Sequence, residues 1–454
     1  MLAALSGCAM GPDYQRPEVD TPEAYVQSVE AGESLANTPW WDLFQDPALQ
    51  SLIRIALEQN QDLGIAAARI DEFRAVLGVT RADQFPSVDV GATAGRARGS
   101  DKVFPGNLVS GTFDDYRLSA DVFFEVDLFG KLRRATEAAR AQLLATEEAR
   151  RSVTISLVAS VASSYMLLRD LDAQLEISRR TAQAREASLT IIQARFDKGT
   201  VPRIDLNQAQ VELADASATV SASERAVTQT EHALSLLLGR NPGPVVRGLP
   251  LQQQAMPPDI PAGLPSELLQ RRPDVLSSEA LLAAQTARIG VAQAARWPSL
   301  SLTGALGFES GSLSDLTASG SDFWNLGAGL FAPVFNAGRN RNRVEIERAL
   351  TEQALLGYQQ TVLRAFAEVE DALVAVRTYR DEHAARSRQV EAARSAALLS
   401  RARYDGGVTS YLEVLDTERS LFSAELTESQ TLRLYFDAVI RLYKALGGGW
   451  NPES

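Results

Sequence analysis

Along most of the chain apolar residues recur at helical spacing, and in two places that period gives way to strict alternation. After Phe85-Pro86, Val88, Val90, Ala92 and Ala94 alternate with Asp89, Gly91, Thr93 and Gly95. Beyond a polar loop, Leu118, Ala120, Val122, Phe124, Val126 and Leu128 alternate with Arg117, Ser119, Asp121, Phe123, Glu125 and Asp127. After Trp297-Pro298 the alternation returns with Leu300, Leu302, Leu306 and Phe308, and then with Trp324, Leu326, Ala328, Leu330, Ala332 and Val334. The pattern predicts four strands of about ten residues, the length that crosses a bilayer when tilted. A soluble half-buried sheet gives the same alternation, but no helical stretch reserves an apolar face to cover two isolated hairpins. Four strands cannot close a barrel, and open edges are not tolerated in lipid, so membrane-spanning strands require an oligomer. Two chains would supply eight strands and three would supply twelve.

The helical pattern is written twice. Arg195-Phe196-Asp197-Lys198-Gly199 with Ile204-Asp205-Leu206 returns as Arg403-Tyr404-Asp405-Gly406-Gly407 with Leu412-Glu413-Val414, an offset of 403 − 195 = 208. Gly130-Lys131 and Gly338-Arg339 keep the same offset, 338 − 130 = 208. The chain therefore reads as a tandem duplication, with each Gly-containing break joining two helices. Residues 1–46 form a signal remnant and extended arm. The first repeat, 47–238, holds a helix, a strand hairpin at 86–129, a long helix at 131–194 and a return helix at 204–238. A Pro- and Gly-rich connector follows at 239–265. The second repeat, 266–446, holds a helix, a hairpin at 298–336, a long helix at 339–402 and a return helix at 412–446, and 447–454 is a tail. Val158, Val161, Tyr165 and Leu168 predict a coiled-coil seam, repeated by Phe366, Val369, Leu373 and Val376. Helices this long suit an elongated protein.

Charge narrows the choice of partners. A net charge of −12 with no basic face gives nothing to neutralise phosphates, so nucleic acid is not an expected partner. No run of about 18 apolar residues predicts a transmembrane helix. The two histidines, His232 and His383, stand alone without a second ligand at metal spacing, and no nucleophile elbow, P-loop or dinucleotide fingerprint occurs. The expectation is a protein without catalysis, metal or soluble cofactor. The one cysteine, Cys8, closes Leu5-Ser6-Gly7-Cys8, which looks like a bacterial lipobox and predicts a covalent lipid.

The order helix, strand hairpin, long helix, break, helix, performed twice, resembles the TolC-type outer-membrane efflux channels, in their lipid-anchored OprM/NodT-like branch. The residues carrying the resemblance are Leu5 to Cys8, Gly11-Pro12-Asp13-Tyr14, Trp41 to Leu49, Phe85-Pro86-Ser87, Arg271-Arg272-Pro273-Asp274-Val275, Ala365 to Leu373 and Tyr443 to Trp450. The resemblance implies a mainly α protein with a small membrane β-barrel, built as a homotrimer with a twelve-stranded barrel and a periplasmic α-helical barrel. It implies a passive exit channel for drugs or other small toxic compounds. These would arrive through a periplasmic adaptor from an inner-membrane resistance-nodulation-division pump. In related channels the leucine and aspartate aligned with Leu412 and Asp416 line the closed periplasmic aperture, and Arg195, Gly199, Arg403 and Gly407 mark the tip where an adaptor would dock. A conduit for type I protein secretion shares the fold. A periplasmic coiled-coil adaptor should instead have one helical hairpin and no bilayer-length strands.

Overall fold

The computed structural model describes residues 9–26, 44–99, 111–256 and 265–448. Cys8, the loop at 100–110, the proline-rich 257–264 and the end of the tail lie outside the described residues. Strands β1 (Ser87–Gly99), β2 (Gly111–Val126), β3 (Ser299–Ser310) and β4 (Asp322–Phe331) form one antiparallel sheet in the order β1-β2-β3-β4. The two hairpins are thus joined by β2–β3 pairing across the repeats. The register aligns Val88, Val122, Gly304 and Leu326 in one row, and Val90, Ala120, Leu306 and Trp324 in the next. Because side chains alternate with period two, this registration puts all four apolar sets on the same face. Among the described residues nothing covers that face: Val90 is 76% and Leu326 81% exposed. The opposite face carries Asp89, Asp121, Arg117 and Glu309, and Arg117 lies 3.6 Å from Glu309 and over the Phe323 ring. β1 and β4 are the edges.

The helices are α1 (Pro47–Gln59), α2 (Gln61–Ala82), α3 (Lys131–Asp197), α4 (Arg203–Leu237), α5 (Pro265–Arg271), α6 (Pro273–Ala294), α7 (Arg339–Asp405) and α8 (Tyr411–Ala445). α3 and α7 have 67 residues each, about 100 Å at 1.5 Å per residue. Their starts, 339 − 131, and those of the return helices, 411 − 203, both differ by 208. α3 does contain a stretch apolar enough to cross a membrane by composition. Its Val158, Val161, Tyr165 and Leu168 are buried against protein, so the apolarity serves packing and not a span.

Three expectations are corrected. The single helix expected after Pro47 is two, broken at Asn60, whose backbone is extended at ψ 130°. Its amide donates to Leu237 O at 2.9 Å, while its Oδ1 accepts from Leu63 N at 3.1 Å, so one side chain caps both the return helix and α2. The helix expected from 266 is likewise two, because Pro273 cannot continue a helix already begun. There the buried Arg272 donates to Ala445 O at 3.1 Å, and 445 − 237 = 208 identifies the same carbonyl in the other copy. Third, the α7 seam keeps Val369 and Leu373 buried but adds Tyr358, Val362, Ala365 and Ala372, leaving Phe366 and Val376 half-buried. Alanines at 365 and 372 allow close helix approach there and draw the contact line over.

Compact units do not coincide with the repeats. One comprises 1–18, 69–147 and 277–359 and holds the sheet; the other comprises 19–68, 148–276 and 360–454 and holds the hairpin breaks. Each takes material from both copies. In the first, buried Arg134 of α3 clasps the N-terminal arm through Met10 O, Gly11 O and the Asp13 carboxylate, the last at 2.6 Å. Within the second, buried Asp46 caps α1 and accepts from Tyr165 Oη (2.7 Å), Leu249 N (3.2 Å) and Gln254 Nε2 (2.7 Å). The connector is thereby pinned, with Leu251 buried and Arg247 held by Asp172 and Glu231.

Candidate functional site

Both long helices end alike. Gly199 and Gly407 adopt φ of 71° and 72°, the left-handed region where a side chain would be strained. Gly199 N donates to Phe196 O (2.8 Å) and Thr200 N to Arg195 O (3.0 Å); Gly407 N and Val408 N repeat this with Tyr404 O and Arg403 O at 2.9 Å each. These paired bonds are the Schellman arrangement that satisfies the last carbonyls of a helix. The chain then reverses into α4 and α8.

Below the turns the two hairpins pack together. Ile192, Leu206 and Ala209 from the first meet Tyr411, Val414 and Leu415 from the second, with Phe196, Val201 and Tyr404 around them. Burial, with the nearby Glu418 charge adding to it, pushes the Tyr411 hydroxyl up to about 12. Arg195 reaches Asp405 at 3.5 Å and lies over the Tyr404 ring, while Arg403 lies 3.7 Å from Glu413. Deeper in the hairpins, buried Glu212 of α4 receives Arg185 of α3 at 3.0 Å and Arg419 of α8 at 2.5 Å. Burial also raises the Glu418 carboxyl, against the lowering by Arg401 and Arg185.

The six predicted tip residues fall into two sets. Arg195, Gly199, Arg403 and Gly407 sit at the turns themselves. Leu412 and Asp416 share the outer face of α8, Leu412 being 56% exposed and Asp416 exposed as well. Arg419, one turn on, holds Glu212 and also feels the Asp416 charge, though Asp416 forms no ion pair within 4.0 Å among the described residues. In the first copy exposed Ile204 and half-buried Gln208 take these places. Sequence reasoning missed the Arg185–Glu212–Arg419 cluster. The available signal was a lone carboxylate at 212 in the seam of Ala209 and Ala216. Among the described residues no group of three or more His, Cys, Asp or Glu is arranged to hold a metal.

The family model for outer membrane efflux protein matches residues 52–240 and 264–448. The chain belongs to this family. The solvent efflux pump outer membrane protein SrpC of Pseudomonas putida is 37% identical over 458 residues, covering 99% of this chain and 97% of the relative. The cation efflux system protein CusC of Escherichia coli is 35% identical over 453 residues, covering 98% and 97%. The open state of the Neisseria gonorrhoeae MtrE outer membrane channel superposes at a TM-score of 0.88 with 31% identity, over 97% of this chain and 98% of that one. The chain is therefore a TolC-type outer-membrane efflux channel of mainly α fold, the exit component of a tripartite efflux system. Its relatives are efflux proteins and not enzymes.

Proposed function

We propose that three copies close a twelve-stranded barrel in the outer membrane and form a passive conduit for small toxic compounds. A periplasmic adaptor and an inner-membrane resistance-nodulation-division pump would deliver the cargo. One observation carries this reading: among the described residues the sheet has an uncovered apolar face across all four strands and two unpaired edges. In lipid such edges must be closed by other copies. Native mass measurement of the detergent-extracted assembly should give three chains, and a monomer would reject the barrel.

Leu412 and Asp416 form the aperture gate in this reading, an apolar ring and a ring of three carboxylates that favours cations. Support comes from their exposure on one face of α8, away from the packed cluster. Adaptor docking uses the turn residues Arg195, Gly199, Arg403 and Gly407. Cys8 carries a covalent lipid. What supports the anchor is the place of the next residue: Met10 N bonds Phe129 O at 3.0 Å, and a Cβ on Gly130 would meet Ala9 at 2.7 Å. The arm is thus held at the end of the strands, where an acyl chain would enter the membrane. Mass spectrometry of membrane-extracted protein should find acyl chains on Cys8, and an unmodified thiol would reject the anchor.

A further inference from the structure

A cavity of about 400 Å³ lies where β2, β3 and β4 meet their helices, bounded by Phe129, Trp297, Phe331, Phe335, Arg339 and Arg343. Phe129 and Trp297 stack with ring centroids 5.4 Å apart and planes at 25°. Glu125 and Ser299 also line it. Both belong to the sheet face opposite the apolar rows, since Glu125 pairs with Ser301, and Ser299 with Phe331. Val126 and Leu128 of the apolar set line it too, so the cavity wraps the end of β2, with Glu125, Ser299 and Phe331 on its polar side.

Its charge is unbalanced. Glu125 is neutralised by Lys131 at 2.6 Å and Asp127 by Arg133 at 3.2 Å. Arg339 and Arg343, one turn apart on α7, have no ion-pair partner among the described residues. The next carboxylates of α7 are engaged elsewhere, Glu345 with Arg348 (3.2 Å) and Glu347 with Gln285 (2.6 Å). Subtracting 208 places the engaged Lys131 and the neutral Ala135 at these positions of the first copy, so the unpaired cations belong to the second copy's corner. Two free guanidiniums beside four aromatic rings, in a chain of net charge −12, are a pairing that an organic anion would complete. Guanidinium grips carboxylate or sulfonate with two parallel hydrogen bonds, and the rings offer faces for a flat apolar body. The volume lies in the range of small-molecule pockets, roughly 300–1,000 Å³.

We propose that this corner is a transit site for amphipathic organic anions with a flat aromatic ring, held by Arg339 and Arg343 and stacked against Trp297 and Phe331. The inference rests on the barrel reading, in which the polar face of the sheet lines the conduit. The test is equilibrium dialysis of the full-length assembly with 2-naphthalenesulfonate and, for comparison, 2-naphthylmethylammonium. The sulfonate should bind at least tenfold more tightly than the ammonium, and R339Q/R343Q should remove that preference. Arg341→Gln, on the same helix outside the cavity lining, should leave it unchanged. Equal sulfonate binding by wild type and R339Q/R343Q, or an equal loss in Arg341→Gln, overturns the proposal. Planar-bilayer conductance of the same preparations separates the two levels. Conducting pores without a sulfonate preference overturn this inference alone, whereas a wild type that forms no pore overturns the channel reading and the inference with it.

Discussion

At the corner where strand gives way to long helix, the first copy of the duplicated unit pairs its charge and the second leaves it unpaired among the described residues. Lys131, Arg133 and Arg134 are each matched by a carboxylate, and the N-terminal arm lies against Gly130. At the same place in the second copy, Pro333 and Phe335 stand where Glu125 and Asp127 would be, and nothing lies within 4 Å of a Cβ on Gly338. The tips diverge in the same manner. Glu212 draws Arg185 and Arg419 together, whereas its counterpart, 212 + 208, is exposed Ser420. Duplication thus kept the backbone, down to the helix limits, and let the side chains at corners and tips take separate tasks.

The largest effect should come from breaking the Glu212 cluster. Glu212→Ala leaves buried Arg185 with only the exposed Asp215 carboxylate at 3.7 Å and should cost about 3 kcal/mol, whereas Ser420→Ala should cost almost nothing. Hydrogen exchange of α3 and α4 would register this as lost protection, and equal protection in the two variants would erase the difference between copies.

Next in size is the contrast between sheet faces. Val122→Arg or Leu330→Arg places a charge against lipid at about 2–4 kcal/mol near the midplane, while exposed Thr303 on the polar face should accept arginine. Ser119 is a poorer control than its polar position suggests, being 7% exposed with its hydroxyl bonded to Asp121. Yield of detergent-stable assembly reads the outcome, and a loss at Thr303 with none at Val122 would invert the facing.

Smaller still is the gate. Leu412→Ala and Asp416→Ala should each raise open probability about tenfold, equivalent to about 1.4 kcal/mol, while Ile204→Ala and Gln208→Ala leave it unchanged. Single-channel recordings decide between them. Equal conductance across all four variants would remove the gate from α8.

The smallest contrast is in pH. Burial alone would raise the Asp274 carboxyl, but the hydrogen bond and charge of Arg272 hold it below the usual carboxylate range. A lowered folded value contributes stability above the ordinary carboxylate pKa and loses it as pH falls through the folded one, so the loss lies below about pH 4. Asp274→Asn should flatten melting temperature between pH 5 and pH 3. Asp62, its counterpart at 274 − 212, has no ion-pair partner among the described residues.

The sequence by itself determined the number of strands, the apolar face of each, the length of α3 and α7 and the two glycine turns. Alternation, helical period and the need for positive φ are local properties, and each is written within a few residues of where it acts. The family resemblance was equally legible, because its motifs spread along the whole chain in order. What only the tertiary structure decided were the relations over distance. Asn60 breaks its helix while capping a carbonyl 177 residues away, and Arg272, beside the break that Pro273 makes, reaches one 173 residues away; no local pattern announces either distant partner. The seam of α7 held at Val369 and Leu373 but took in Ala365 and Ala372 in place of Phe366 and Val376, because alanine fits either side of a helix contact and period alone could not choose between them. Pairing of β2 with β3 and the unneutralised Arg339 and Arg343 are likewise facts of assembly. Whether a charge has a partner depends on which distant element arrives beside it.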